Sequence, residues 1–311
     1  MRILVLGGSG FLSGRFVRYA LEAGHELMCV TRGARPLDVR VAWHVVSERD
    51  ALTVELFKGH PYELVIDFIG MQAGHAQQSV ELARTCGRLI FISSDYVYHP
   101  AHRTLFLRED QAVFSDFVDY GGAKRQAERV IEQAAGTVRA IIARPPHIYG
   151  TGSFPGTIPQ QGRRPDLLER LRREEPLRLL QGGSGLIQPI HVEDLARILV
   201  QLMTNERAYD QAITMAGPRL MTHLEYYQTL AELVGHPLRV VPYCPEGAAP
   251  EWSFRGIRLH AVPAGNGRVG GPIGYPGEWL IQANGSRLGL RQSDRLLGAC
   301  RIPDPAVAGD H

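Results

Sequence analysis

Short apolar runs alternating with amphipathic helical segments predict an α/β protein, with a doubly wound parallel sheet and a smaller C-terminal lobe interleaved with it. Two further observations support that class. A glycine-rich turn joins the first apolar run to the first helical segment, and after Gly150 the texture changes to Gly, Pro and Arg punctuation. The apolar runs are Ile3 to Leu6, Leu27 to Val30, Leu64 to Ile69, Leu89 to Ile92 and Val138 to Ile142. They lack polar alternation, as strands buried on both faces do. Between them, Phe11 to Ala23 and Ala76 to Cys86 carry helical periodicity and are closed by Gly24 and Gly87, where a helix C-cap needs a residue free of Cβ strain.

Helical pattern returns at about Pro165 to Glu174 and again at about Val192 to Met203. A further helix starts at Thr222, which forms a capping-box pair with Glu225, and stops before Gly235. The expected organisation is a first domain of residues 1–150 and about 188–217, with a second lobe of 151–187 and 218–311. From Pro245 to about Glu278 the chain is rich in Gly and Pro and shows no periodic element.

Composition removes several function classes. The 311 residues are 44% hydrophobic, enough for a large core. Lysine and arginine number 34 against 32 acidic residues, and a net charge of +2 offers nothing to a nucleic acid. Cys29, Cys86, Cys244 and Cys300 are scattered without CxxC spacing, which argues against disulfides and a zinc site and favours a reducing, cytoplasmic setting. No run of 18 or more apolar residues occurs, so no membrane partner is expected.

The turn Gly7-Gly8-Ser9-Gly10-Phe11-Leu12-Ser13-Gly14 follows a buried strand and opens a helix. In that context glycines let the backbone approach a pyrophosphate, and the helix N-terminus offers free N–H groups and partial positive charge. Gly7, Ser9, Gly10, Phe11 and Leu12 are therefore expected to hold a dinucleotide, although a ligand-free glycine turn has the same look. Ser13 stands where a third glycine is usual, which would loosen the helix slightly against the strand. After the second strand comes Thr31-Arg32-Gly33 in place of the acid expected for NAD, so the cofactor is NAD(P) with Arg32 leaning the choice toward the 2′-phosphate of NADP. A solvated strand-end arginine is the plain alternative.

In Tyr120-Gly121-Gly122-Ala123-Lys124, residues four apart share a helix face, so a phenol and an ammonium can reach one ligand. A nearby cation favours the ionised phenol, which suits Tyr120 to proton transfer with Lys124 as its helper. Upstream, Leu89 to Ile92 leads into Ser93-Ser94-Asp95-Tyr96, placing hydroxyls at the carboxyl edge of the sheet, where open α/β proteins bind ligands. Ser94 can polarise the oxygen that Tyr120 serves. Asp95 is either a second acid or a turn cap, and Ser93 is expected on the cofactor side.

Taken in order, GGSGFLSG, SSDYVY, YGGAK, the run Arg144 to Gly150 and the run Ile190 to Ala196 resemble the extended short-chain dehydrogenases of the NAD-dependent epimerase/dehydratase family, over about residues 1–242. The resemblance implies a Rossmann domain, Ser94, Tyr120 and Lys124 as catalytic residues, Gly7, Gly10, Phe11 and Leu12 as the pyrophosphate turn, and Phe68, Ile69, Gly70, Pro145 and His147 beside the nicotinamide. His191 and Asp194 match a structural position. Family members acting on nucleotide sugars carry an arginine before the Ile-His-Val run, where this chain has Ile187-Gln188-Pro189; Arg163, Arg164, Arg178, Arg255 or Arg258 could replace it. Ser-Asp-Tyr-Val-Tyr looks closer to the pattern of 4-keto-sugar reductases than to that of dehydratases. The expected activity is hydride transfer at a secondary alcohol or ketone of a small-molecule, sugar-like ring by an epimerase or keto-sugar reductase, ahead of a 4,6-dehydratase. A non-catalytic dinucleotide sensor or RNA-binding relative is the alternative from another class. Relatives that pair through the tyrosine helix make a homodimer an expectation by analogy.

Overall fold

The computed structural model describes residues 1–103, 107–157, 161–162 and 164–243. The stretch from Pro245 to Glu278, with Arg163, Arg255, Arg258, Cys244 and Cys300, lies outside the described residues. The described residues divide into two compact units, one within 1–103, 107–167 and 187–220, the other of 168–186 and 221–243.

The first unit is built on a parallel sheet whose strands are β1 (Arg2–Leu6), β2 (Glu26–Thr31), β3 (Trp43–Val46), β4 (Leu64–Asp67), β5 (Arg88–Ile92), β6 (Arg139–Arg144) and a seventh strand, Gln211–Thr214. Their order is Gln211–Thr214, β6, β5, β4, β1, β2, β3, so the direction of winding reverses beside β1, between β1 and β4. Helices cover both faces: α1 (Phe11–Glu22) and α4 (Val192–Leu202) one, α2 (Ala73–Ala83) and α3 (Tyr120–Gln133) the other. Ile3, Val5, Leu27, Leu64 and Ile66 point to the α1 side; Leu4, Leu6, Val65 and Leu89 point to the α2 side. The uninterrupted apolar runs of the sequence are this double coverage.

Several boundaries differ from expectation for local reasons. The third run ends at Asp67, not Ile69, because the Asp67 carboxylate accepts the Ile69 N–H at 2.8 Å and turns the chain. Helix α2 begins at Ala73 and ends at Ala83, since residues 84–86 tighten into a turn before Gly87 at φ 77°. The strand expected from Val138 runs instead over Arg139–Arg144. Strand β3 and the strand Gln211–Thr214 were not expected.

A short helix, Leu167–Arg172, leads from the first unit into the second, inside the span expected from Pro165, and in the second unit strand Leu177–Leu180 pairs in parallel with Val240–Tyr243. The helix His223–Val234 starts at the Thr222/Glu225 capping box and stops at Gly235 in the left-handed region, as the pattern predicts.

Candidate active site

Gly7, at φ 93°, sits where a Cβ would strike the Ile69 side chain, and a Cβ on Gly8 would lie 2.9 Å from Cys29 Sγ. The glycine turn is therefore pressed onto β2 and the segment after β4, with Ser9, Gly10 and Phe11 partly exposed above it and Leu12 buried. Ser13 does not loosen this contact: its buried hydroxyl accepts the Gly10 N–H at 2.8 Å, so the hydroxyl closes the turn. The first N–H groups of α1 open at this edge. Phe68 packs against Phe16 of α1 at 5.3 Å between centroids, behind the same turn.

Helix α3 starts at Tyr120, with Asp119 accepting the Gly122 N–H at 2.9 Å as its cap. A Cβ at Gly121 would collide with the Tyr96 carbonyl and one at Gly122 with the Phe117 carbonyl. The paired glycines thus let the first turn of α3 lie against the segment that follows β5. One turn on, Lys124 is 3% exposed and donates to the Gly70 carbonyl at 2.6 Å and to the Ile92 carbonyl at 2.8 Å. Its Nζ lies 5.9 Å from the Tyr120 ring centroid. Burial pushes the Lys124 ammonium down to about 8, opposed by the negative fields of Asp67 and Glu128. Tyr120 itself is 45% exposed, open to a ligand.

Ser94 is buried, and its hydroxyl accepts the Tyr96 N–H at 3.2 Å and hydrogen-bonds the Asp95 carboxylate, so its O–H proton has to turn from Asp95 to serve a ligand. Ser93 Oγ is buried with no partner among the described residues. Asp95 pairs with Arg103 at 3.2 Å, and Arg103 also donates to the Asp95 carbonyl at 2.7 Å. Burial raises the Asp95 carboxyl above the ordinary carboxylate range while Arg103 pulls it back. Tyr96 meets Tyr120 edge to face at 6.1 Å, so the segment after β5 and the start of α3 share an aromatic contact. The Asp95 N–H donates to the Pro145 carbonyl at 3.1 Å, tying the β6 exit to the same edge, where burial lowers His147 to about 4 and keeps it neutral.

The residues present fit a dinucleotide. A lysine ammonium has three donors and two are used on carbonyls, Ser93 Oγ is an orphaned buried hydroxyl, and the glycine turn would be filled by any Cβ. At the far end, Arg32 is exposed just past Thr31. Beside it lies an open depression of about 430 Å³ whose lining includes Gly33, Arg35, Leu37, Asp38 and His44, with Asp38 paired to Arg40 at 2.7 Å. Arg35, a second cation at that end, escaped sequence reasoning because nothing in its spacing marks it.

Other predicted positions fall elsewhere. His191 caps α4 by accepting the Glu193 N–H at 3.4 Å and Asp194 pairs with Arg197, so both serve that helix. Gln188 donates to the Gly217 carbonyl at 2.7 Å. Of the arginines that could replace the missing cation, Arg164 pairs with Asp166 and Arg178 stacks on Tyr243. Sequence reasoning also missed Arg103, and the buried Arg144–Glu128 pair that fixes α3 against β6, with contacts at 2.9 and 2.8 Å. A charged residue at the end of an apolar strand, such as Arg144, is the one signal that pointed to it.

The chain is similar to 2'-dehydrokanamycin reductase of Streptomyces kanamyceticus, at 26% identity over 258 residues covering 81% of this chain and 72% of that protein. It is also similar to the chloroplast stem-loop binding protein of 41 kDa b of Arabidopsis thaliana, at 22% identity over 79% of this chain and 66% of the relative. Among solved structures, UDP-glucose 4-epimerase of Thermotoga maritima has the same fold, with a TM-score of 0.66 at 18% identity, covering 78% of this chain and 86% of that one. The NAD dependent epimerase/dehydratase family matches residues 3–215, and the chain belongs to that family.

Proposed function

We propose that this chain is a nicotinamide-dependent reductase of a ketone on a sugar-like ring, with NADPH as its reductant. The observation that carries the reading is Lys124, buried on the carbonyls of Gly70 and Ile92 within 5.9 Å of the Tyr120 ring. An ammonium held there at the cost of desolvation serves charge placement beside the phenol better than it serves stability. The similarity to 2'-dehydrokanamycin reductase and the Ser-Asp-Tyr-Val-Tyr pattern favour reduction over dehydration. Arg32 and Arg35 at the end of β2 favour a cofactor with a 2′-phosphate.

In this reading the glycine turn and the α1 N-terminus bind the pyrophosphate, and Lys124 holds the nicotinamide ribose through its remaining donor. A reduced nicotinamide, when bound there, would supply the hydride that reduces the ketone. Ser94 donates its O–H to the carbonyl oxygen, and Tyr120 transfers its proton to that oxygen as negative charge develops there. The Lys124 cation stabilises the phenolate left behind, and solvent reprotonates it through the exposed face of Tyr120.

The test is consumption of NADPH by purified protein with a panel of keto-sugars and keto-aminocyclitols. Tyr120→Phe is expected to lower turnover by about 10²- to 10⁴-fold while leaving NADPH affinity nearly unchanged. Unchanged turnover in that variant overturns the assignment of the phenol. A protein that binds RNA and no dinucleotide overturns the reading altogether.

A further inference from the structure

The peptide group joining Gly70 to Met71 is held at both ends. Its carbonyl accepts from Lys124 Nζ at 2.6 Å, and its N–H donates to Nδ1 of His75 at 3.1 Å. The other nitrogen of that ring, Nε2, lies 2.9 Å from Asp50 Oδ1. With Nδ1 accepting, the proton of the neutral imidazole is assigned to Nε2, which donates it to Asp50. Every donor in the series Lys124, Met71 N–H and His75 Nε2–H points the same way, from the buried ammonium toward a carboxylate that is 84% exposed. Chains of this kind strengthen each of their bonds by mutual polarisation.

We propose that Asp50 and His75 form a positioning dyad for Lys124, acting through the Gly70–Met71 peptide. This rests on the reading of Lys124 as the helper of Tyr120. Neither Asp50 nor His75 belongs to the residues that touch substrate or cofactor in that reading; both act at one remove.

The groups around His75 come from several elements. Asp50 and Arg49 come from the short helical turn Arg49–Ala51, Asp67 from the end of β4, and Gln78 and Ser79 from α2 itself. Arg49 donates to the His75 carbonyl at 2.6 Å and pairs with Asp67 at 2.9 Å, so those two charges offset each other. Ser79 donates to Asp67 at 2.6 Å, and Gln78 holds the Asp50 carbonyl at 3.0 Å, which anchors the turn that carries the carboxylate.

His75 Nδ1 accepts the Met71 N–H and the chain is complete. A side chain with no acceptor at that place leaves the Met71 N–H to solvent, and the Gly70 carbonyl is then less firmly aimed at Lys124.

Amide ¹⁵N NMR of the full chain tests the link without any assay. His75→Asn places an amide oxygen where Nδ1 stood, so the Met71 amide should stay hydrogen-bonded as in the unaltered chain; His75→Leu should release it. With saturating NADPH and ketone at pH 8, His75→Leu is expected to lower kcat about two- to tenfold, with KM little changed, and His75→Asn to recover most of the loss. A Met71 amide signal unmoved by His75→Leu overturns the dyad whatever the activity. If the NMR link holds but His75→Leu leaves kcat intact, the action on Lys124 is overturned. Full turnover in Tyr120→Phe would sink the functional reading and leave the NMR result standing.

Discussion

Lys124 is the residue whose environment says most about its role. A lysine on a helix surface extends into water, but here two backbone carbonyls take two of its three donors in a site with 3% exposure. Its replacement therefore has two separable costs. Lys124→Met removes the cation beside Tyr120 and leaves the Gly70 and Ile92 carbonyls buried without donors. The expected result is loss of NADPH-dependent turnover together with destabilisation of about 1–3 kcal/mol, read by urea denaturation. A variant that loses turnover with unchanged stability would mean that the carbonyls find other donors. Asp95 shows the opposite situation. Its pairing with Arg103 gives the carboxylate a structural task in the turn after Ser94, which a sequence reading could only weigh against an acid role.

At the scale of elements, α3 is the part that the sequence located and only partly explained. Tyr120 and Lys124 share its face by spacing alone, and the Gly121-Gly122 pair is legible as soon as a close approach is suspected. The approach itself, to the carbonyls of Tyr96 and Phe117, depends on residues 25 and 5 positions away and has no local signature. The anchor at the other side of the helix is equally non-local. Glu128, fully buried, receives Arg144 of β6 at 2.9 and 2.8 Å, and Arg144 reaches on to Tyr98 at 3.1 Å. Removing one member of such a pair strands a buried charge. Glu128→Gln is thus expected to destabilise the protein by about 3–5 kcal/mol. A loss under about 1 kcal/mol in denaturant melts would show that Arg125, which also meets Glu128 at 2.9 Å, is not competing for a vital partner. Legibility among the strands follows burial. β1, β2, β4, β5 and β6 are unbroken apolar runs, whereas Trp43–Val46 and Gln211–Thr214 lie at the two edges, half covered and four residues long, below the length at which pattern separates strand from loop.

For the whole molecule, the seven-stranded sheet brings the glycine turn after β1, the serines after β5 and the exit of β6 to one carboxyl edge, while Arg32 stands at the end of β2. That placement makes cofactor choice a property measurable on folding itself. A ligand that binds the folded chain and not the unfolded one stabilises it by about 2.7 kcal/mol at a hundred times its Kd. In a protein of this size that is a rise of at least about 2 °C in melting temperature. With Arg32 exposed beyond Thr31 and Arg35 lining the adjacent depression, NADPH is expected to raise the melting temperature more than NADH at equal concentration. Arg32→Glu should erase or reverse that difference, because a carboxylate repels the 2′-phosphate and accepts hydrogen bonds from a free ribose diol. Turnover with NADH should rise in step. Equal stabilisation by both cofactors in the unaltered chain, unchanged by Arg32→Glu, would remove the arginines from cofactor choice and return the adenosine end to the geometry of the β2 exit alone.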